Sequence, residues 1–195
     1  MGKIFYIMGK SAAGKDKIYS RLAENKNIVF QKLILYTTRP IRAEEKNGRE
    51  YFFTDDQKLE NLEKMGRVIE KRAYHTVHGI WTYFTADDGQ VDLEKSDYLG
   101  IGTLESFVKL KEYYGQSSVM PIYIEVETGE RLTRALNREK SQPNPRYAEM
   151  CRRFLADEED FSEEKIRQAG IGRRFQNDDL ETCIKDIVKY IKSVQ

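Results

Sequence analysis

The fold class is decided by the stretch Gly9-Lys10-Ser11-Ala12-Ala13-Gly14-Lys15-Asp16, which has the form GxxxxGK. The segment before it, Ile4–Met8, is rich in β-branched and aromatic residues and has the length of a strand. Behind it, Ile18, Leu22 and Ala23 recur at helical spacing. A strand, a glycine-rich loop and a helix in this order are the context of a phosphate-binding loop. The alternative is a glycine-rich turn that only caps a helix.

This loop predicts how phosphates would be bound. Its glycines allow successive backbone N–H groups to point at phosphate oxygens, and the helix N-terminus adds partial positive charge. Lys15 supplies a cation for the terminal phosphates, and Asp16 takes the position where Ser or Thr normally offers a hydroxyl to Mg²⁺. A carboxylate also binds Mg²⁺ well, so we expect Asp16 to hold this metal. The residues expected to bind ATP here are Gly9, Ser11, Ala12, Ala13, Gly14, Lys15 and Asp16.

The composition predicts an ordinary soluble domain. The chain has 195 residues, and 33 Lys and Arg against 32 Asp and Glu give a net charge of +1, so we expect no nucleic-acid or membrane partner. Cys151, Cys183, His75 and His78 lack metal-ligand spacing, and we interpret the histidines as structural. We find no signal peptide and no apolar run of membrane-spanning length, and therefore expect a cytoplasmic protein.

A second cluster of functional residues follows in an arginine-rich segment. Pro40 and Asn47-Gly48 mark turns, which places Arg39 and Arg42 on a loop. Two arginines on a loop suit bidentate capture of a phosphate, and Tyr51 could add a hydroxyl donor. From these residues alone, a solvated hairpin with exposed arginines is an equal alternative.

A third arginine group is predicted on two helices. The helix that begins at 128 or 129 carries Arg134 and Arg138, which are four residues apart and therefore point to one side. Ser and Pro residues in 141–145 interrupt the pattern, and a long charged helix with Arg153 begins at Tyr147. This arrangement is typical of a lid that closes over phosphates. The alternative is ordinary ion pairing on exposed helices.

Other segments predict the remaining elements. The apolar pieces 28–30 and 33–35 each read as a strand edge, and 54–57 has the form of a capping box that starts a helix. Residues 98–102 are apolar and end in glycine, which favours a central strand that meets a ligand at its carboxyl end.

The arginine-rich segment also carries a family resemblance. Thr37-Thr38-Arg39-Pro40-Ile41-Arg42, followed by Glu45, Gly48 and Tyr51, resembles the acceptor-binding signature of guanylate kinases. The order of the phosphate loop, the segment 68–70, the lid arginines and the segment 177–180 is similar to the order in that family. The resemblance therefore spans nearly the whole chain, and this signature is more specific than the phosphate loop.

The resemblance implies transfer of the γ-phosphoryl group of ATP to GMP, which gives ADP and GDP. It implies that Glu70 accepts hydrogen bonds from guanine N1 and its amino group, and that Asn177 lies near the adenine of ATP. The acceptor-binding residues implied by the resemblance are Arg39, Arg42, Tyr51, Glu70, Tyr83 and Thr85. The catalytic residues implied by it are Lys15, Arg39, Arg134, Arg138 and Arg153.

We therefore predict an α/β protein with the three-layer fold of P-loop NTPases, a parallel central sheet and a helical lid. The predicted core comprises 1–36 and 94–195, with the lid at about 138–153. A small strand-rich insertion, 37–93, would bind the acceptor. The oligomeric state is not determined by the sequence.

The sequence departs from the family pattern at the acceptor. Gly100 and Gly102 stand where the family usually places aspartates, and Asp16 could replace the missing strand acid as support for the metal. These departures favour one alternative, a kinase of the same fold that acts on another (deoxy)nucleoside monophosphate or a phosphorylated sugar. A second alternative is a non-catalytic binding module of the guanylate kinase type.

Overall fold

A computed structural model describes residues 1–76 and 79–195 of the chain. The strands are β1 (Ile4–Met8), β2 (Gln31–Lys32), β3 (Tyr36–Thr37), β4 (Phe52–Phe53), β5 (Val68–Thr76), β6 (Gly79–Ala86), β7 (Tyr98–Ile101), β8 (Val119–Glu125) and β9 (Arg174–Gln176). The helices are α1 (Lys15–Ala23), α2 (Asp56–Lys64), α3 (Leu104–Tyr114), α4 (Thr128–Lys140), α5 (Tyr147–Asp160), α6 (Glu163–Gln168) and α7 (Leu180–Val194).

The core of the protein is a parallel sheet with helices on both faces. Its strand order is β2-β7-β1-β8-β9, and every pair in it is parallel. All residues of the central strand β1 are fully buried, as expected for a strand covered on both sides. Phe5 and Ile7 face a cluster formed with α1 and α7, whereas Ile4, Tyr6 and Met8 face a cluster formed with α3. The predicted three-layer α/β fold is confirmed.

A second, smaller sheet is formed by strands between residues 36 and 86. Its order is β4-β3-β6-β5, in which β6 runs antiparallel to β3 and to β5. Helix α2 buries Leu59 against Tyr36, Phe84 and Ala86 of this sheet. The strands β5 and β6 form a long hairpin that positions residues 70, 72, 83 and 85 beside one another.

Several local predictions need correction. The strands lie at Gln31–Lys32 and Tyr36–Thr37 and not in the apolar pieces 28–30 and 33–35. Backbone pairing with β7 sets the first position, where the N–H of Gln31 donates to the carbonyl of Asp97 at 2.9 Å, and pairing with β4 and β6 sets the second. Helix α2 is capped by Asp55, whose carboxylate accepts from the Lys58 N–H, and not by a capping box that starts at Thr54. Helix α6 was not predicted.

Helices α4 and α5, which contain the predicted lid at about 138–153, pack against each other. The Arg131 guanidinium lies 4.0 Å from the centre of the Phe154 ring. The buried carboxylate of Glu139 accepts a hydrogen bond from the backbone N–H of Arg146, which fixes the turn between the two helices. Within residues 1–76 and 79–195, no helix combines the length and the apolar character needed to cross a membrane.

Candidate active site

The glycine-rich loop between β1 and α1 has the backbone geometry of an anion cradle. Ala12 has a φ of 64° and Gly14, which caps α1, has a φ of 90°, both in the left-handed region. A Cβ atom at Gly9 would lie 2.4 Å from the carbonyl oxygen of Ile124, so a side chain there would push the loop off β8. Position 9 therefore requires glycine because of this close approach, and position 14 favours glycine because of its φ.

The side chain of Asn177 contacts the backbone of this loop. Its side chain is buried, and its Nδ2 donates to the carbonyl of Ala13 at 2.8 Å. A Cβ atom at Gly14 would lie 2.4 Å from the same Nδ2, so the two residues are mutually dependent. Arg134 donates in turn to the Asn177 carbonyl at 3.0 Å. The structure thus places the Asn177 amide on the loop itself, where it positions the backbone.

Lys15 lies inside the loop and donates its Nζ to the carbonyl of Lys10 at 3.1 Å. Burial lowers the pKa of Lys15 from its ordinary value. The positive charges of Arg138 and Arg131 lower it further, while the carboxylates of Asp16 and Asp157 oppose this shift. Lys15 therefore shares one electrostatic environment with two lid-helix arginines and two carboxylates.

Arg131 was missed at the level of sequence. The Arg131 side chain is 1 % exposed. Its Nη1 donates to the Ser11 carbonyl at 3.4 Å, and its Nη2 donates to the Glu158 carboxylate. Arg131, Arg134 and Arg138 are at positions i, i+3 and i+7 of α4, so they lie along one helix face. The helical spacing of these three arginines is visible in the sequence, but the sequence-based prediction included only Arg134 and Arg138.

The acidic end of α5 contacts the phosphate loop directly. The Asp157 carboxylate accepts a hydrogen bond from the Ser11 backbone N–H at 2.6 Å. Lys10 donates its Nζ to Glu158, also at 2.6 Å. A loop N–H predicted to bind phosphate is therefore held by a carboxylate of the protein. In the sequence these two residues belong to the long charged helix that begins at Tyr147, and nothing in its local pattern distinguishes them.

Arg153 and Asp16 are more exposed than these groups. Arg153 is 59 % exposed and donates to Glu149 on its own helix at 2.8 Å. Hydrogen bonds from Arg152 and Arg153 lower the pKa of Glu149 to about 2. Asp16 is exposed in the first turn of α1, next to Lys15.

Arg39, which lies in the predicted acceptor-binding insertion, is buried. Its side chain is 3 % exposed and forms a bidentate pair with Glu45, at 2.9 and 2.8 Å. Its Nε donates to the Tyr83 hydroxyl at 3.1 Å. The hydrogen bond to Glu45 raises the pKa of Arg39 and lowers that of Glu45. The predicted alternative of an exposed arginine is therefore wrong for Arg39.

Arg42 and Tyr51 complete the loop around Arg39. Arg42 is exposed, and its backbone N–H donates to Glu45 at 2.9 Å. Burial raises the pKa of Tyr51, and the negative charge of Asp16 adds to this increase. The positive charges of Arg39 and Arg72 lower the same pKa. The centre of the Tyr51 ring lies 5.7 Å from the guanidinium carbon of Arg39, so Tyr51 packs directly on Arg39.

Glu70 lies on β5 with a side chain that is 2 % exposed. Its Oε1 accepts from the Thr85 hydroxyl at 2.8 Å and from Arg72 at 3.3 Å, and its Oε2 accepts from the Arg72 Nε at 2.9 Å. Thr85 is fully buried and therefore positions the carboxylate. Arg72 was not singled out in the sequence, where it reads as one charge in a polar strand.

The two strand glycines are explained by Tyr6. A Cβ atom at Gly100 would lie 2.7 Å from the Tyr6 ring, and one at Gly102 would lie 2.0 Å from the Tyr6 hydroxyl. This hydroxyl shares a 2.8 Å hydrogen bond with Ser106, and burial raises its pKa. Tyr6 thus fills the space that side chains at 100 and 102 would need.

The structure contains no cluster of three or more potential metal ligands among its described residues. His75 is exposed on β5. The prediction for His78 lies outside the described residues. A cleft of about 430 Å³ borders Lys10, Ala13 and Arg131, and a second, more open concavity of about 650 Å³ is lined by residues of α6, the segment after it and Arg174.

The fold and the loop define a P-loop nucleotide-binding protein of the α/β class. A family model described as guanylate kinase matches residues 1–194, and the chain belongs to this family. It is 25% identical to a guanylate kinase of Porphyromonas gingivalis over 192 residues, which covers 98% of this chain and 97% of that protein. It is 28% identical to a guanylate kinase of Mesomycoplasma hyopneumoniae strain J over 202 residues, covering 100% of this chain and 97% of that protein.

The fold is also similar to a solved structure. The crystal structure of guanylate kinase from Anaplasma phagocytophilum superposes with a TM-score of 0.70 at 20% identity, covering 100% of this chain and 86% of that chain. This likeness supports the fold class independently of sequence identity.

Proposed function

We propose that this protein transfers the γ-phosphoryl group of ATP to GMP and so forms ADP and GDP. The observation that carries the proposal is the anion cradle at the carboxyl end of β1, where Ala12 and Gly14 have left-handed φ values and Lys15 lies inside the loop. The guanylate kinase relatives support this reaction class. Both substrates are small nucleotides, and we propose the cytoplasm as the compartment.

The donor would bind at the loop Gly9–Asp16. Backbone N–H groups and the N-terminus of α1 would hold its phosphates, and Lys15 would neutralise their terminal charge. The donor set fits Mg²⁺, because this ion is commonly held by one or two carboxylates together with substrate phosphates and water, and Asp16 offers an exposed carboxylate at the first helical turn. When bound, the metal would neutralise charge on the β- and γ-phosphates.

The acceptor phosphate would bind at Arg39, Arg42 and Tyr51. Arg39 is preorganised by Glu45 and by the Tyr83 hydroxyl, so little side-chain entropy would be lost when it donates to a phosphate. The Arg42 side chain is exposed and free to turn toward the ligand. Glu70, held by Thr85, would face the base.

The transferred phosphoryl group needs no covalent partner on the protein. In such reactions the protein aligns the acceptor oxygen with the phosphorus, excludes water and stabilises charge on the equatorial oxygens. Arg138 shares the electrostatic environment of Lys15, and Arg134 is joined to the loop through Asn177. We propose that Arg134, Arg138 and Arg153 supply the positive charge as α4 and α5 close.

The reaction can be tested with the purified chain. ATP, MgCl₂ and GMP are mixed, and ADP and GDP are separated by ion-exchange chromatography; we expect equal amounts of both. Release of ADP without GDP would show that the protein only hydrolyses ATP, and it would contradict the acceptor assignment. Failure to bind ATP with Mg²⁺, measured by the melting temperature, would contradict the donor assignment and favour a binding module.

A second candidate is a kinase of this fold with another monophosphate acceptor. The observation that favours it is the exchange of the two family aspartates for Gly100 and Gly102, whose space Tyr6 fills with a neutral phenol. A panel of GMP, AMP, CMP, UMP and ribose 5-phosphate in the same assay separates the two candidates.

A further inference from the structure

The carboxylate of Glu70 already has a partner within the protein, the side chain of Arg72. Arg72 lies two residues further along β5 and forms a two-point contact with the Glu70 carboxylate, at 2.9 and 3.3 Å. Its third contact is to the Thr103 hydroxyl at 3.3 Å, at the carboxyl end of β7. Burial opposes the charge of Arg72, yet Glu70 raises the pKa of Arg72 above its ordinary value, so Arg72 stays charged.

This pairing uses most of the hydrogen-bonding capacity of Glu70. An ionised carboxylate offers about four acceptor positions. Thr85 and Arg72 together occupy three of them, two on Oε1 and one on Oε2. A guanine base would need two, one for N1–H and one for its amino group, on two different oxygens. With Arg72 in place, the carboxylate cannot receive both, and its 2 % exposure leaves no open edge for a base.

The rest of the subsite shows the same change in chemistry. Gly100 and Gly102 bring no carboxylate to this pocket, and Tyr6, Thr103 and Ser106 fill it with mutually bonded hydroxyls. Since Arg72 neutralises Glu70, the base end of the acceptor site carries no net negative charge from these residues. A guanine edge, which presents two donors there, meets an arginine that presents donors as well.

We propose that Arg72 is a specificity-determining residue of the acceptor site, which competes with guanine for Glu70 and leaves the enzyme to select monophosphate acceptors through their phosphate group. This inference rests on the proposed phosphoryl transfer and adds to it the basis of acceptor choice. GMP binds only at the expense of the Glu70–Arg72 pair, whereas an acceptor that makes no two-point contact to Glu70 leaves the pair intact.

The test is Arg72→Met, which keeps the aliphatic packing of the side chain and removes its donors. The kcat/KM values for GMP and AMP are measured for each variant. In the unmodified protein we expect the two acceptors to differ by less than about tenfold. In Arg72→Met we expect the GMP-to-AMP ratio to rise by about tenfold or more, through a lower KM for GMP with kcat nearly unchanged. Lys71→Met, which removes an exposed lysine of the same strand, is the matched control and should leave the ratio unchanged.

A double variant separates competition from a general structural effect. If Arg72 acts by occupying Glu70, the gain for GMP requires this carboxylate and disappears in Glu70→Gln/Arg72→Met. If Arg72→Met does not fold, Arg72→Gln and the double variant Glu70→Gln/Arg72→Gln provide the same comparison.

The outcomes are distinguishable from those for the reaction itself. If no monophosphate is phosphorylated by any variant, the proposed function fails. If GMP is phosphorylated and Arg72→Met leaves its KM unchanged or raises it, Arg72 assists guanine binding or has no part in it, and the inference is overturned while the function stands. A gain for GMP that persists in the double variant would also overturn it.

Discussion

The proposed donor half, around the phosphate loop, and the proposed acceptor half, around Arg39 and Glu70, both pair their ligand-binding groups with polar or charged groups of the protein. The two halves differ in how deeply these pairs are buried. In the donor half, the Ser11 N–H and Lys10 are bound by Asp157 and Glu158 of α5, whose side chains are 17 % and 40 % exposed. In the acceptor half, Glu70, Arg72 and Arg39 are 2 %, 9 % and 3 % exposed.

This difference predicts different responses to ligands. Ion pairs open to solvent contribute little and exchange at low cost. Buried pairs are costly to open, because an unpaired charge remains behind. We therefore expect a bound nucleotide to displace the carboxylates from the phosphate loop, and we expect the buried pairs of the proposed acceptor half to stay closed unless a ligand competes for them.

The largest effect is expected from Lys15→Ala. Lys15 is the cation inside the phosphate loop, and its removal leaves the developing phosphate charge without its nearest partner. We expect kcat to fall by about 10²–10³-fold, the range seen when one electrostatic stabiliser is removed from an active site. Lys17→Ala, on the exposed side of α1, is the matched control. Near-normal turnover by Lys15→Ala would show that the loop does not hold the donor.

The next effect concerns the buried acceptor half. Truncation of one member of a buried hydrogen-bonded charge pair costs about 2–5 kcal/mol, so we expect Arg39→Ala to raise the KM for the acceptor by on the order of 10²-fold and to lower the melting temperature. Steady-state kinetics with the acceptor varied measure the first quantity. Arg49→Ala, a partly exposed arginine of the same segment, should change neither. An unchanged acceptor KM in Arg39→Ala would remove Arg39 from the site.

A smaller effect of opposite sign is expected in the donor half. Asp157→Ala frees the Ser11 N–H for phosphate and removes a carboxylate close to it, and we expect ATP to bind about fivefold more tightly, which corresponds to about 1 kcal/mol. Calorimetric titration with ATP measures this, and Glu159→Ala on the exposed side of the helix is the control. Weaker ATP binding would instead make Asp157 part of the nucleotide site.

The smallest effect is expected from Asp16→Asn. Asp16 is exposed, so a single carboxylate there contributes at most about 1 kcal/mol to holding a cation. We expect the Mg²⁺ concentration at half-maximal rate to rise by about threefold to fivefold. A titration of the rate with MgCl₂ at constant ATP provides the measurement. An unchanged requirement would count against Asp16 as the metal ligand.

The local sequence predicted much of the framework. β1, the phosphate loop and α1 follow from an apolar run, two glycines and a helical repeat, all within about twenty residues, because each of these signals acts over short distances. The buried residues of α3 and α7 also repeat at helical spacing, which is a local signal of the same kind. The short strands β2 and β3 were misplaced, because their register depends on pairing with distant strands.

The candidate site divides in the same way. The residue types in the phosphate loop and in the segment around Arg39 determined which ligands to expect, since a mobile cation, backbone amides and bidentate guanidiniums suit phosphates whatever surrounds them. Only the tertiary structure decided which of these groups are already occupied. Asp157 reaches Ser11 across 146 positions in the chain, and Tyr6 meets Gly100 and Gly102 only because β1 and β7 are neighbours. Such contacts arise from the fold as a whole, and the sequence nearby carries no trace of them.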